Sequence, residues 1–154
     1  MSYALEALIA PQATFEKFII KRAKIISLTQ GFSMFAFETG EYLKFFKQDK
    51  PQWDPENEED SYPGPIAEIE ELALALSQGC TVAHIDILCW GGEGTHAGSA
   101  WENGKRIYGP SASFSGSSFG TDLQNLPSNL ALRAIGVLKL DSDEFDALGL
   151  GRFR

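Results

Sequence analysis

The amino-acid sequence predicts an α+β fold: a mainly antiparallel sheet of five or six strands, with helices packed mostly on one face. Three stretches carry that prediction. Thr81–Trp90 is rich in β-branched and large apolar residues. Its alternation sends Ala83, Ile85, Ile87 and Cys89 to one side and Val82, His84, Asp86, Leu88 and Trp90 to the other. Asn103-Gly104, between Ala97–Trp101 and Lys105–Tyr108, suits a type I′ hairpin turn, which needs positive φ at both central positions. Pro65–Gln78 places Ile66, Ile69, Leu72, Ala73 and Leu76 on one helical stripe. Glu68, Glu70 and Glu71 lie near the positive end of the helix dipole, and Gly79 follows as a cap. The 154 residues suit one domain, 1–154, with a substantial core.

The remaining elements follow in order. Tyr3–Ala10 reads as a strand ended by Pro11, and Gln12–Ile20 as a short helix with Phe15, Phe18 and Ile19 at helical spacing. Ala23–Leu28 and Phe32–Glu38 predict two strands joined by a turn at Gln30-Gly31, and Tyr42, Phe45 and Phe46 a short helix lying on the sheet. Residues 48–65 form an acidic, proline-rich loop, long enough to be either functional or mobile. The run Gly91-Gly92-Glu93-Gly94 predicts a turn or bulge before the strand Ala97–Trp101. Residues 111–126, rich in Ser and Gly, read as an ordered irregular loop that must bury Phe114 and Phe119. Pro127–Ile135 predicts a helix and Val137–Leu140 a brief strand. Asp141 with Glu144 reads as a capping box for a helix over Glu144–Leu148. The expected order is β-α-β-β-α-α-β-β-β-α-α.

A composition of 44% hydrophobic and 22% charged residues belongs to a folded globule and excludes a disordered chain. No apolar run approaches the roughly 18–20 residues a membrane helix needs. The stretch MSYALEALIAPQ lacks the basic region and apolar length of a signal peptide, and two cysteines make no disulfide framework. A cytoplasmic protein with free thiols is therefore expected. The net charge of −8 is unevenly distributed. Residues 51–104 hold eleven acids and no Lys or Arg, whereas the segments on either side are slightly basic. Such a field repels nucleic acid and membrane surfaces and favours a cationic partner, although acids also simply keep a surface solvated.

Specific chemistries find few motifs. GGEGTHAGS has the glycines of a phosphate-cradling loop, but it feeds a strand instead of a helix and no GKS or GKT follows. Cys80, His84, Cys89 and His96 do not have the paired short spacings of a zinc site. The acids of the 48–65 loop lack the regular oxygen ligands of a calcium loop. Asp141, Asp143, Glu144 and Asp146 could hold a divalent cation or serve a capping box. The serines of 111–126 form no nucleophile elbow. No metal and no cofactor are expected.

The segments YALEALIA, HIDILCWGGEGTHAGSAWENG and DEFDALGLGRFR together resemble a group of small bacterial proteins of unknown function, with a glycine-rich hairpin and a similar Asp-Glu-Phe-Asp…Gly-Leu-Gly-Arg stretch. The resemblance spans most of the chain and implies no activity. Two functions remain open. One is a non-enzymatic, immunity-like binding protein that offers an acidic surface (Asp54, Glu56, Glu58, Glu59, Asp60, Glu68, Glu71 and Glu93) to a basic protein partner. The other is a small hydrolase or transferase sited at the glycine-rich turn, with His84, Asp86, Glu93 and His96 as candidate catalytic residues. In that second reading Asp86 would orient the His84 imidazole on a shared strand face.

Overall fold

The structure is a computed structural model describing residues 2–17, 24–37, 42–51, 53–54, 61–90, 93–115, 125–141 and 143–153. The strands are β1 (Ser2–Pro11), β2 (Ile25–Ser27), β3 (Phe32–Ala36), β4 (Thr81–Trp90), β5 (Glu93–Glu102) and β6 (Lys105–Ser115). The helices are α1 (Gln12–Glu16), α2 (Tyr42–Phe45), α3 (Ala67–Leu76), α4 (Pro127–Ala134) and α5 (Glu144–Ala147), followed by a 3-10 turn at Leu150–Phe153. The fold is α+β, and the six strands form one open antiparallel sheet in the order β2-β3-β1-β4-β5-β6. The elements follow one another as the sequence predicts.

The two central strands, β1 and β4, are ten residues each and divide the interior by parity. Leu5, Ala7 and Ile9 with Ala83, Ile85 and Ile87 face α4, α5 and the 3-10 turn, packing on Ala131, Leu132, Phe145, Leu148 and Leu150. Leu8 and Ala10 with Val82 face the other way, onto Phe15 of α1, Tyr42 of α2, and Ile69, Ala73 and Leu76 of α3. The helices thus divide between both faces, where one face was expected to carry most of them. Two short C-terminal helices and the 3-10 turn cover the second face, where Tyr3 of β1 also packs edge-on against Phe145 of α5.

Turn chemistry fixes both tight hairpins. Asn103 (φ 50°) and Gly104 (φ 72°) join β5 to β6, and Gln30 (φ 58°) and Gly31 (φ 77°) join β2 to β3. Gly98 serves a different end, since a Cβ there would lie 2.3 Å from the Pro127 carbonyl oxygen. Only glycine lets α4 sit so close to β5.

Four expectations need correction. β5 begins at Glu93, not Ala97, because Glu93–His96 pairs with Ile87–Trp90. β6 runs on to Ser115 where an irregular loop from Ser111 was expected. The register shifts between Tyr108 and Ser111, so the stretch holding Gly109 and Pro110 is absorbed as a bulge, and an edge strand tolerates proline. Val137–Leu140 forms no strand, because the Gln30 side chain takes over strand-like pairing: it donates to the Leu138 carbonyl at 2.8 Å and accepts from the Leu138 amide at 2.9 Å. The cap of α5 is Asp143, not Asp141. Its carboxylate accepts from the Asp146 amide at 2.9 Å, while the Glu144 side chain turns inward to Arg133 at 2.8 Å. Phe18, Ile19, Lys21, Arg22, Glu56, Glu58, Glu59, Asp60, Gly91, Gly92 and Phe119 lie outside the described residues, as do the side chains of Glu93 and Phe114.

Candidate functional site

The register of β1 with β4 sets Glu6 directly opposite Asp86, and His84 opposite Leu8 two positions along the same face. One end of the α3 face therefore carries three polar side chains on adjacent central strands, where apolar residues would complete the core. Glu6 Oε1 lies 2.7 Å from His84 Nε2, and His84 is 0% exposed. An ionised carboxylate only accepts, so Nε2 carries the proton of that bond. Tyr42, delivered by α2, donates its hydroxyl to Glu6 Oε2. Lys50, from the segment after α2, places Nζ 3.1 Å from Glu6 Oε2 and 2.8 Å from Asp86 Oδ1. One ammonium thus bridges two carboxylates on neighbouring strands, and a phenol and an imidazole complete the shell of Glu6.

The two carboxylates are driven in opposite directions. Burial acts against the charge of Glu6, but the His84 imidazole, the Lys50 ammonium and the Tyr42 hydroxyl outweigh it, so Glu6 titrates below the ordinary carboxylate range. Burial and the neighbouring Glu6 charge push Asp86 up, and Lys50 offsets this only in part. Lys50 itself is pushed up: burial would lower it, but Asp86 and Glu6 together prevail. Tyr42 and Tyr62 are both raised, first by burial and then by the nearby carboxylates, so neither phenol ionises near neutrality.

Glu6, Tyr42, Lys50 and Asp86 line a cleft of about 1020 Å³. Its wall includes Trp53 and Tyr62, whose rings meet edge-on at 5.3 Å, together with Trp90 and the Pro63–Ile66 approach to α3. His84 does not line the cleft; it supports Glu6 from behind. Lys50 and Asp86, with side chains 25% and 17% exposed, are the charged groups of this network most accessible to a ligand.

Of the other predicted residues Asp54 also lines the cleft, and the histidine and cysteine candidates apart from His84 lie elsewhere. His96 is on the opposite face from His84: it pairs with Ile87, and its ring nitrogens lie 3.9 Å from Cys89 Sγ and 3.4 Å from Ser128 Oγ. His84 and His96 therefore do not share one site at the glycine-rich turn, and the four residues Cys80, His84, Cys89 and His96 do not converge. Cys80 lies beyond α3, with its thiol on the Leu76 carbonyl. Among the described residues no group of three or more His, Cys, Asp or Glu is arranged to hold a metal ion. Of the Asp141–Asp146 acids, Asp143 caps α5 and is held by Asn129 at 3.1 Å, and Glu144 pairs with Arg133.

Two acids of residues 51–104 that form ion pairs lie outside the candidate acidic surface: Glu70 pairs with Arg106, and Asp86 holds Lys50. Glu68, within that surface, accepts from a backbone amide, that of Lys47, at 2.8 Å. Asp54 and Glu71 are exposed. Among the described residues no helix is long and apolar enough to cross a membrane.

Glu6, Tyr42 and Lys50 were not identified from the sequence. One signal was available for Glu6. In YALEALIA it shares parity with Ala4, Leu8 and Ala10, so a strand buried on both faces has to turn its only acid inward. Comparison with known proteins adds nothing to this geometry, for no family model, no curated protein and no solved structure matches the chain.

Proposed function

We propose that this protein binds a small organic molecule in the cleft between the sheet and the segments flanking α2 and α3. Asp86, held by Lys50, is its polar contact, and Trp53, Tyr62 and Trp90 its apolar wall. One observation carries the reading: a largely buried network of five polar residues puts four of them, Glu6, Tyr42, Lys50 and Asp86, in the wall of a cleft large enough for a ligand. Ligand sites are concave and mostly apolar, with a few converging polar groups, and perturbed titrations concentrate at them. A buried ion pair is poor at stabilising a fold compared with apolar residues of the same volume, so a network of this cost is better accounted for by a ligand than by stability.

The acidic-surface reading has less support. It keeps Asp54 and Glu71 as exposed acids, but Lys50 and Arg106, one from each flanking basic segment, engage Asp86 and Glu70. A fragment screen by two-dimensional amide NMR tests the cleft. Shifts should gather at Glu6, Lys50, Trp53, Tyr62 and Asp86. Binding confined to the α4 face, or no binding at all, would remove the proposal.

A further inference from the structure

Given that cleft, the chemical class of its ligand can be read from its charges. We infer that the cleft takes an organic cation, a primary amine on an aromatic or aliphatic body, whose ammonium bonds Asp86. This rests on the cleft being a ligand site and adds what kind of ligand it holds.

The described lining holds three carboxylates, Glu6, Asp54 and Asp86, against one ammonium, Lys50. Lys50 is already shared between Glu6 and Asp86. An anionic ligand would have to approach those carboxylates with the only lining cation engaged by both of them. In a partly buried site such repulsion is screened far less than at the surface. A cation meets the reverse situation. Asp86 Oδ1 accepts from Lys50, and a carboxylate has a second oxygen, Oδ2, that can accept an incoming N–H.

The walls agree with the charge. Tyr42, Trp53, Tyr62 and Trp90 put four aromatic rings in the lining, and a cation that meets the face of such a ring is attracted by its quadrupole, most strongly where water is excluded. Lys50 shows the preference within the molecule: its ammonium is drawn between two carboxylates of the sheet face at 2.8 and 3.1 Å.

The test uses three probes of one shape and different charge: phenethylamine, phenylacetate and phenethyl alcohol. Each is titrated into the full chain by calorimetry, with amide NMR to locate binding. Phenethylamine should bind at the cleft about tenfold or more tighter than either analogue, the ratio expected of one charge-assisted hydrogen bond. Asp86→Asn, nearly isosteric, should lose about the same factor for the amine, and clearly more for the amine than for the alcohol, whose hydroxyl bond to Asp86 carries no charge assistance from the ligand. Lys50→Met should tighten the amine, because the competing internal ammonium is gone. If that variant does not fold, Asp86→Asn and the weakening of amine binding by salt decide the matter. Cleft binding of phenylacetate or the alcohol as tight as that of the amine overturns the inference and leaves the cleft a ligand site. So does amine binding indifferent to Asp86→Asn. If none of the three probes reaches the cleft, both the cleft and its proposed ligand class fall.

Discussion

The two faces of the sheet are built from the same strands and differ at one end in what they bury. Under α4 and α5, β1 and β4 present Leu5, Ala7, Ile9, Ala83, Ile85 and Ile87, an unbroken apolar layer. On the α3 face the alternate positions of those strands begin the same way, with Leu8, Ala10 and Val82, and then change to Glu6, His84 and Asp86. The first face gains from every residue removed from water. The polar end of the second gains little, because each charge must be desolvated before its partner compensates. The contrast separates a face whose central strands are apolar throughout from one that is apolar at one end and polar at the other.

The comparison can be broken most forcefully at Glu6. Glu6→Ala strips His84 and Lys50 of their shared partner and should cost about 3–5 kcal/mol of unfolding free energy in urea. A loss under about 1 kcal/mol would mean that the network is not desolvated as described. On the apolar face Leu132→Ala should cost about 2–5 kcal/mol through lost burial and a cavity. That loss should be the same at every pH, unlike the loss at Glu6. Gly98→Ala probes the fit of α4 on β5 and should cost about 1–3 kcal/mol by forcing the Pro127 carbonyl away. A neutral result there would show that the helix has room to move.

Smaller effects sharpen the picture. Asp143→Ala should cost about 1 kcal/mol as the lost cap of α5, whereas Asp141→Ala, an exposed position, should stay within about 0.5 kcal/mol. Equal effects would contradict the cap assignment.

The smallest effect concerns pH. Glu6, held below its ordinary range, contributes stability that is present above the unfolded carboxylate value and lost as pH falls through its depressed folded value. Asp86, held above its range, contributes stability complete below the unfolded value and lost as pH rises through its raised folded value. Asp86→Asn removes only the second contribution. Its urea midpoint should therefore gain on that of the unmodified protein as pH rises through that window. A gap that stays constant with pH would rule out the raised titration of Asp86.

Much of the fold was legible in the sequence because its signals are local. The parity of Thr81–Trp90, the stripe of Pro65–Gln78 and the Asn103-Gly104 turn depend on residues a few positions apart, and all three were found as read. Reading failed where a distant group intervened. Val137–Leu140 has the composition of a strand, but the side-chain amide of Gln30, 108 positions from Leu138, takes both backbone hydrogen bonds of Leu138. The shared face of His84 and Asp86 was legible from parity. The opposite placement of His96 was not, since it depends on how β5 pairs with β4.

Local physics determined most of the elements and their order, because periodicity, glycine turns and helix ends act over one or two turns of chain. The polar network is a different kind of object. Glu6 meets Tyr42 across 36 positions and His84 across 78, and Lys50 meets Asp86 across 36. Those meetings exist only because β1 inserts between β3 and β4 in one particular register. A shift of one residue would turn Glu6 to the other face, so strand order and register, which no local pattern encodes, decided where the site would be.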